Sequence, residues 1–397
     1  MKFDNLLRYA VRVIDAYSGE KPLHIWLKDF FRANPQMGST DRKLVSEMVY
    51  CFYRLGHSLN NIAAAERILI GLFLCNDSQS GALEYLKPEW NAAISKSLEE
   101  KIELLQMNFP DFSADQIFPF ISLLSAGMDH VAFSLSFLKK PELFIRIRKG
   151  KEEIVPAKLR EKRIYFKEAE PDDQLLFKAC SFANGTRLDG VLDLNREAVV
   201  QDLSSQKTGS FLKLPDMDPE KILRAWDCCA ASGGKSILLA DLYPTLDLTV
   251  SDIRKSILEN LRKRFADAGI IRYQAFEKDL TRVTDLPKQT YDLIVADLPC
   301  TGSGTWSRTP ESLYFFNPES VGPYSGKQKL ILSNVIRCLK PGGVLVYITC
   351  SVFAAENEEV VHSIEKEGAL QLLRQNMITG YSENADSLFA AVFKRSG

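Results

Sequence analysis

The first 125 residues repeat their apolar side chains at helical spacing. Leu6, Ala10, Ile14 and Tyr17 are separated by three or four residues, as on one face of an amphipathic helix. A second helix is predicted after the capping signal Ser39-Thr40-Asp41. Further apolar segments of helical period lie near 60–74, 91–106 and 115–126. The pattern predicts a helical domain over residues 1–125.

The period changes in residues 126–212. The segment from Leu143 to Arg148 alternates apolar and polar residues with period two, which predicts a half-buried strand in a small α+β domain. Lys and Arg outnumber Asp and Glu from Lys139 to Lys167, and the rings of Phe144, Tyr165 and Phe166 are interleaved with these charges. Such a surface could bind single-stranded nucleic acid by neutralising phosphates and stacking bases. An ordinary solvated face is the alternative, and the residues do not decide between the two.

From residue 213 the chain alternates apolar strands with amphipathic helices. The predicted strands are 222–228, 246–252, 271–276, 291–297, 344–349 and 388–394. The predicted helices are 235–243, 253–268, 326–339 and 355–366. This alternation is typical of an α/β fold with a doubly wound, mainly parallel sheet.

Composition excludes several classes of protein. Of 397 residues, 46% are hydrophobic and 25% charged, and the net charge of −1 means that any polyanion site must be a local patch. The eight cysteines are scattered without a CxxC pair, and there are four histidines, so we expect neither a metal site nor a disulfide framework. The N-terminal pattern is amphipathic and every apolar run is short. We therefore expect no membrane segment and a cytoplasmic location.

A glycine-containing loop follows the first strand of this α/β region. The loop consists of Cys228, Cys229, Ala230, Ala231, Ser232, Gly233, Gly234 and Lys235. It matches neither the GxGxxG nor the Walker pattern, yet its glycines allow a ligand to approach the backbone and the N-terminus of the next helix. Asp252, Asp279 and Asp297 follow the next three strands, and a carboxylate in the position of Asp252 can accept the hydroxyls of a ribose. Together these features predict an adenosine-containing cofactor.

Two further strands each lead into a cysteine. Cys300 follows Asp297-Leu298-Pro299, and Cys350 follows Tyr347-Ile348-Thr349. Neighbouring parallel strands would aim both thiols into one crevice at their carboxyl ends. A thiol has a pKa of about 8.5, and its thiolate is a nucleophile suited to an electron-poor ring carbon.

Carbon 6 of a pyrimidine is such a carbon. Addition of a thiolate there makes carbon 5 nucleophilic toward an electrophilic methyl group, after which carbon 5 loses its proton and the thiol is expelled. One cysteine for attack, one acid beside the ring and a second cysteine to assist release form a coherent set. The residues alone leave open which of the two cysteines attacks, because a Pro-Cys pair also carries the nucleophile of the DNA cytosine-5 methyltransferases.

The sequence resembles a known family in the blocks that hold these residues. DCCAASGGKS, DLPCTGSGTWSRTPE and TCSVFAAENEEVV resemble the three signature blocks of the RNA 5-methylcytosine methyltransferases of the Sun/Fmu (RsmB/Nop2) family. VVQDLSSQ and DSLFAAVFKR resemble flanking blocks of that family, and STDRKLVSEMVYCFYRLGHSLNN resembles its NusB-like helical domain. The resemblance implies a Rossmann-like class I methyltransferase domain at 213–397, preceded by a NusB-like domain at 1–125 and an RRM-like RNA-binding domain at 126–212.

The resemblance also implies a reaction and roles for individual residues. The reaction is transfer of a methyl group from S-adenosyl-L-methionine to carbon 5 of a cytosine in RNA, with small-subunit ribosomal RNA as the expected substrate. Cys350 is then the nucleophile, Cys300 assists release, and Asp297 hydrogen-bonds the target base. The residues assigned to the cofactor are Cys228, Cys229, Ala230, Ala231, Ser232, Gly233, Gly234, Lys235, Asp252, Asp279 and Asp297. A monomer without an obligatory protein partner is expected.

Two positions depart from the pattern of the family. Ser232 stands where a proline is usual, which predicts a looser turn, and Ser-Leu-Tyr-Phe-Phe replaces a basic-aromatic run after Glu311. Arg308 and Trp306 are candidate RNA contacts, although Trp306 can equally be a packing residue. Two alternatives to the ribosomal RNA methyltransferase remain: methylation of transfer RNA, and a non-catalytic RNA-binding assembly factor that keeps the fold.

Overall fold

The computed structural model describes residues 2–214 and 222–396. The chain divides into two compact units. The helical unit comprises Met1–Leu124, Asp129–Pro141 and Thr305–Pro318. The sheet unit comprises Ser125–Met128, Glu142–Gly304 and Glu319–Gly397. Residues 215–221, just beyond the boundary expected at 212, lie outside the described part of the chain.

Amphipathic helices form most of the helical unit. They are α1 Lys2–Ala16, α2 Leu23–Ala33, α3 Ser39–Arg54, α4 Ala64–Cys75, α5 Gly81–Leu86, α6 Pro88–Ala92, α7 Leu98–Gln106 and α8 His130–Ser136. Leu6, Ala10 and Tyr17 are buried on one face of the first helical segment, as their spacing predicts.

Two predictions for the helical unit are wrong in detail. Helix α3 begins at Ser39 itself, and its N-cap is Gly38, which has no side chain to accept a hydrogen bond. The predicted helix at 115–126 is replaced by two short 3-10 turns, Ala114–Gln116 and Ile121–Leu123. Its aromatic residues pack individually instead: the ring centroids of Phe118 and Phe120 are 5.4 Å apart.

A small antiparallel sheet opens the sheet unit. Its elements are β1 Leu143–Ile147, α9 Ile154–Glu161, β2 Lys167–Glu168, β3 Ala179–Phe182 and β4 Ala198–Val200, followed by α10 Leu203–Lys207 and α11 Gly209–Leu212. The strand order is β2-β3-β1-β4. The predicted strand at Leu143 is confirmed, but it is buried along almost its whole length where a half-buried strand was expected.

Part of the basic stretch around this sheet is structural. Phe144 is buried, and Arg146 is buried in an ion pair with Asp241, so neither belongs to an exposed nucleic-acid surface. Arg148 also bonds Asp241. Of the three aromatic residues named in this stretch, Tyr165 has the exposed ring, at 77%, and it remains available for stacking on a base.

A seven-stranded sheet forms the rest of the sheet unit. In chain order the elements from residue 222 onward are β5 Leu223–Asp227, α12 Gly234–Leu242, β6 Leu246–Asp252, α13 Lys255–Ala268, β7 Tyr273–Glu277, β8 Tyr291–Asp297, α14 Pro310–Tyr314, α15 Val321–Val335, β9 Leu339–Thr349, α16 Glu358–Lys366, β10 Leu370–Thr379 and β11 Ser387–Arg395. The strand order is β10-β11-β9-β8-β5-β6-β7. Strands β5 to β9 are parallel to one another, and β11 is antiparallel to both of its neighbours, β9 and β10.

The doubly wound α/β prediction is therefore confirmed. Side chains alternate between two cores along the strands: Trp226 joins the core under α15 and α16, whereas Ala225 joins the core under α12. Strand β10 was not predicted, because most of its middle residues are polar and exposed and so lack an apolar period.

Helix α14 belongs to the helical unit although it lies between two strands of the sheet unit in sequence. The Glu311 carboxylate accepts a hydrogen bond of 3.1 Å from the backbone N–H of Leu23 at the start of α2. Trp306 is 4% exposed, and its ring lies 4.8 Å from that of Phe316. Trp306 is thus a packing residue, whereas Arg308 is exposed.

Candidate active site

The two cysteines meet at the carboxyl edge of the large sheet. Cys300 follows β8 and Cys350 follows β9, and these parallel strands are neighbours with Asp297 opposite Ile348. The sulfur atoms Sγ of Cys300 and Cys350 are 3.3 Å apart. Both side chains are partly buried and neither is in a disulfide. The predicted convergence of the two thiols is confirmed.

The surroundings of Cys300 favour its neutral form. The hydrogen bond with Cys350 raises the pKa of the Cys300 thiol well above its usual value, and burial and the nearby carboxylate of Glu356 raise it further. A thiol that stays protonated is a hydrogen-bond donor and proton source and a weak nucleophile.

An ion pair lies beside the cysteines. The Lys235 ammonium nitrogen Nζ is 2.7 Å from Oδ2 of Asp297, and the Lys235 side chain is 11% exposed. Burial by itself would lower the pKa of Lys235, but Asp297, Cys350 and Asp227 together raise it above its usual value. The site therefore holds a fixed cation between the glycine-containing loop and the thiols.

The glycine-containing loop has two residues in the left-handed region, Ala231 at φ 46° and Gly233 at φ 83°. A Cβ on Gly233 would lie 2.6 Å from a ring carbon of Phe265, so this position requires glycine. Arg264 donates hydrogen bonds to the backbone oxygen and hydroxyl of Ser232, at 3.0 and 2.8 Å. Ser232 in place of the usual proline predicted a looser turn, but these hydrogen bonds from Arg264 hold the turn in place.

The first residues of the loop serve mainly for packing. Cys228 is fully buried in the core under α15 and α16, and burial raises the pKa of its thiol. Cys229 is partly buried against the same core. Ala230 is 6% exposed, and its N–H bonds the backbone oxygen of Ser251 at 2.9 Å. Gly234 opens helix α12 and is partly exposed.

The strand-end acids lie along the same edge of the sheet. Asp252, 5% exposed, accepts hydrogen bonds from the N–H of Ala231 at 3.1 Å and of Arg254 at 2.9 Å. Asp279 lies two residues beyond β7, where hydrogen bonds from the hydroxyl and N–H of Thr281 lower the pKa of its carboxyl group.

A further acid, Asp227, was missed by sequence reasoning. It ends β5 and is 1% exposed. Its Oδ2 accepts a hydrogen bond from Ser236 at 2.6 Å, while its Oδ1 has no hydrogen-bond partner among the described residues. Burial raises the pKa of Asp227 to about 7, against the opposing effect of Ser236. Its position immediately before the loop was the signal available in the sequence.

These residues fit an adenosine-containing cofactor. The left-handed loop leaves its backbone open to a ligand, and Asp252 presents a carboxylate for hydroxyl groups. One carboxylate oxygen of Asp227 is buried without a hydrogen-bond partner among the described residues.

No group of His, Cys, Asp and Glu within residues 2–214 and 222–396 could hold a metal ion. In the same part of the chain, no helix is long and apolar enough to cross a membrane.

A buried carboxylate network below the thiols also escaped sequence reasoning. A helix was predicted over 355–366, but α16 begins at Glu358 and Glu356 is fully buried in the preceding 3-10 turn. Its carboxylate bonds Thr301 and Ser351, the residues that follow the two cysteines. The spacing of five residues between Ser351 and Glu356 was the available signal.

Comparison with known proteins agrees with this site. Residues 214–388 match the model of a family described as 16S rRNA methyltransferase RsmB/F. This stretch is less than half of the chain, and it resembles the methyltransferase domain of the RsmB/F family. The expected cofactor of that domain, S-adenosyl-L-methionine, is confirmed by this match.

Curated relatives extend the match to different degrees. The ribosomal RNA small subunit methyltransferase B of Xylella fastidiosa is 36% identical over 166 residues, which are 41% of this chain and 37% of that protein. The chain thus spans well under half the length of this relative. The probable ribosomal RNA small subunit methyltransferase B of Coxiella burnetii is 28% identical over 301 residues, which are 71% of this chain and 67% of that protein.

A solved structure has the same fold. The crystal structure of PH0851 superimposes with a TM-score of 0.69 at 18% identity, and the match covers 99% of this chain and 98% of that one. At this identity the similarity establishes the fold and leaves the chemistry to the residues of the site.

Proposed function

We propose that this chain transfers a methyl group from S-adenosyl-L-methionine to carbon 5 of a cytosine in RNA, with small-subunit ribosomal RNA as its substrate. The observation that carries the proposal is the pair of thiols 3.3 Å apart beside the Lys235–Asp297 ion pair. The names of the relatives from Xylella fastidiosa and Coxiella burnetii support ribosomal RNA as the substrate class.

The residues that would hold the cofactor surround the loop after β5. Asp252 would accept the ribose hydroxyls, and Asp279 would bond the adenine amino group. The loop from Cys229 to Gly234 would contact the remainder, with Lys235 and Asp297 at its far end, whereas Cys228 is fully buried in the core. When bound, S-adenosyl-L-methionine supplies an electrophilic methyl group. Every other step falls to side chains of this chain and to the base.

Cys350 is the proposed nucleophile. Its thiolate adds to carbon 6 of the cytosine while the Asp297 carboxyl group hydrogen-bonds the ring, which makes carbon 5 nucleophilic toward the methyl group. The neutral form favoured at Cys300 supports this assignment, because a protonated thiol is a poor nucleophile. Lys235 is close enough to Cys350 for the two groups to interact electrostatically.

Cys300 is the proposed release residue. After methylation carbon 5 still carries its proton, and the bond between carbon 6 and the Cys350 sulfur must break. Carbon 5 gives its proton to the Cys300 sulfur as the proton of the Cys300 thiol passes to the departing Cys350 sulfur. The electron pair left on carbon 5 reforms the double bond between carbons 5 and 6, and the bond from carbon 6 to sulfur breaks. The 3.3 Å distance between the Cys300 and Cys350 sulfur atoms supports this role.

RNA recognition is proposed for the segments that the sequence marked. The RRM-like interpretation of 126–212 rests now on Tyr165 and the exposed basic residues near it, since Arg146 and Arg148 are paired with Asp241. Arg308 remains a candidate contact because it is exposed. A base must leave its stack to reach the thiols, which favours a loop or another single-stranded site.

Covalent trapping on RNA tests the assignment of the cysteines. Fluorine at carbon 5 of cytosine cannot leave as a proton, so the adduct persists and can be seen as a shifted protein band. Cys350→Ala should abolish the adduct on 5-fluorocytosine RNA, whereas Cys300→Ala should still form it. On ordinary RNA, Cys300→Ala should accumulate an adduct that the wild type releases.

The reverse pattern would overturn the assignment, and absence of any adduct from the wild type would overturn the cytosine-5 reaction. Transcripts of small-subunit ribosomal RNA and of transfer RNA should be offered side by side. Trapping confined to transfer RNA would contradict the proposed substrate. Binding of S-adenosyl-L-methionine by each variant shows that a negative result is not due to misfolding.

A further inference from the structure

Glu356 connects the two loops that carry the thiols. One carboxylate oxygen, Oε1, accepts a hydrogen bond of 2.8 Å from the backbone N–H of Thr301. The other, Oε2, accepts a hydrogen bond of 2.6 Å from the Thr301 hydroxyl and another from the Ser351 hydroxyl. Thr301 directly follows Cys300, and Ser351 directly follows Cys350. A single carboxylate thus bonds the residue after each cysteine.

The position of Glu356 is itself fixed by its surroundings. The residue is 0% exposed, and its backbone oxygen accepts a hydrogen bond from the Tyr347 hydroxyl, which comes from inside strand β9. Its N–H donates to the backbone oxygen of Phe353 at 3.0 Å. The next residue, Asn357, bonds the backbone oxygen of Ser351 at 2.9 Å. A carboxylate held this firmly transmits its position to the groups that it bonds.

We propose that Glu356 is a positioning residue that holds the Cys300 thiol against Cys350 by hydrogen-bonding the residue after each cysteine. The inference rests on the proposed function for its role in turnover, but the geometry that it explains exists without RNA. Without these bonds, the cysteine loops are still joined by the contacts of Ser303 with Ser351 and Val352, and by a 2.9 Å hydrogen bond from the Gly304 N–H to the backbone oxygen of Cys350. These contacts do not involve the residue directly after Cys300.

The carboxylate also acts on the Cys300 thiol through its charge. Its negative charge is one of the causes that raise the pKa of Cys300, after the hydrogen bond from Cys350 and burial. A neutral amide in its place would retain the shape but remove that contribution. Geometry and charge can therefore be separated with two substitutions, Glu356→Ala and Glu356→Gln.

Glu358 supplies a matched control on the same segment. Its carboxylate accepts hydrogen bonds from the Ser125 hydroxyl at 2.9 Å and the Ala126 N–H at 3.1 Å, and no described hydrogen bond links it to a cysteine loop. Glu358→Gln thus removes a carboxylate charge two residues away without touching Thr301 or Ser351.

The first experiment measures thiol proximity in the full chain without RNA. Diamide oxidises two thiols to a disulfide and is itself reduced to the hydrazine, taking up both hydrogens, and peptide mass spectrometry follows formation of the Cys300–Cys350 bond. Glu356→Ala should slow this closure by about tenfold or more, because the thiols no longer share one geometry. Glu356→Gln should restore the maximal rate to within about threefold, since its amide keeps one acceptor oxygen and the hydroxyls can turn to bond the amide nitrogen.

The pH profile of closure provides a readout that a purely structural role would not change. Closure can start from a thiolate at either cysteine, and Glu356→Gln removes a negative charge that opposes thiolate formation at Cys300. The profile of Glu356→Gln should therefore shift to lower pH than that of the wild type, while Glu358→Gln follows the wild type. An unshifted profile, or closure in Glu356→Ala at the wild-type rate, would overturn the proposal.

The second experiment links the position to turnover. Glu356→Ala should lower kcat for RNA methylation by about 100-fold, with the KM for RNA and the affinity for S-adenosyl-L-methionine close to wild type. If the wild type methylates no RNA but closure still depends on Glu356, the proposed function fails and the positioning role stands. If methylation occurs and Glu356→Ala keeps the wild-type kcat, the positioning role fails and the function stands.

Discussion

Three aspartates that end neighbouring strands have three different electrostatic surroundings. Asp297 is paired with the Lys235 ammonium, and Asp252 accepts hydrogen bonds from Ala231 and Arg254. Asp227 has only the Ser236 hydroxyl and is 1% exposed. A buried carboxylate without a paired cation favours its protonated form, which is why the pKa of Asp227 rises to about 7.

At the residue scale, Asp227 predicts a pH dependence of stability. Between the usual pKa of 3.8 and the folded value of about 7, the folded protein keeps a proton that the unfolded chain has released. The free energy of unfolding therefore decreases as pH rises through this window, by at most about 1.4 kcal/mol per pH unit. Asp227→Asn keeps the acceptor for Ser236 and removes the titration.

Urea unfolding of both proteins without cofactor, from pH 4.5 to pH 7.5 in roughly one-unit steps, measures this effect. The free energy of the wild type minus that of Asp227→Asn should fall steadily with pH. Buried Glu311 and Glu356 titrate in both proteins and cancel in the difference. A difference independent of pH would show that Asp227 is ionised in the folded state throughout.

At the scale of elements, a buried ion pair joins the small sheet to helix α12. Arg146 from β1 is 1% exposed, Asp241 from α12 is 5% exposed, and Arg148 reaches the same carboxylate. Burial lowers the pKa of Arg146, and Asp241 opposes that shift. The Asp241 carboxylate thus neutralises two guanidinium groups. Its removal would leave both positive charges without their anionic partner, so Asp241 is the member of this cluster whose loss should destabilise the fold most.

Asp241→Ala should lower the free energy of unfolding by about 3–5 kcal/mol, because it leaves buried charge without a partner. Asp247→Ala is the matched control: Asp247 is 38% exposed and pairs with Arg224 at the surface, so its loss should cost less than about 1 kcal/mol. Thermal and denaturant unfolding of the three proteins provide the comparison. Equal losses for the two variants would contradict the structural role of the buried pair.

At the scale of the whole molecule, sequence order and compact units do not coincide. Thr305–Pro318 lies inside the segment that matches the methyltransferase family, yet it packs within the helical unit. Leu313 of α14 is fully buried, and its methyl group lies close to Gly56 at the end of α3. The ring of Tyr314 is 5.4 Å from that of Tyr53. Part of the helical core therefore comes from the second half of the chain.

Leu313→Ala should destabilise the helical unit by about 2–5 kcal/mol, since it opens a cavity in that core. Hydrogen exchange should accelerate in α3 and α4 and stay close to wild type in β5 and β6. Leu330→Ala, at a side chain that is 46% exposed on α15, is the control and should change neither region. Faster exchange in β5 with α3 unchanged would refute the assignment of this segment to the helical unit.

The local features of the fold were predictable from residue patterns. Apolar alternation marked β5, β6, β8 and β11, and helical period marked α1, α3, α12 and α13, because these elements each bury one face or both. Strand β10 at the sheet edge buries little, so it carried no such pattern. The 3-10 turns near Ile121 have aromatic residues that mimic a helical period without forming a helix.

The sequence by itself determined that two strands end in thiols, that a glycine-containing loop opens a helix, and that acids follow successive strands. Each of these features belongs to a short segment, because the spacing of apolar residues and the choice of turn residues depend on positions close together in the sequence. Only the tertiary structure decided that Glu356 bonds both cysteine loops, that Asp227 is buried without a cation, and that Trp306 packs in the helical unit. These features depend on contacts between residues far apart in the chain. The sequence shows that a charged or apolar residue requires a partner or a buried site, but it does not show which distant residue provides it.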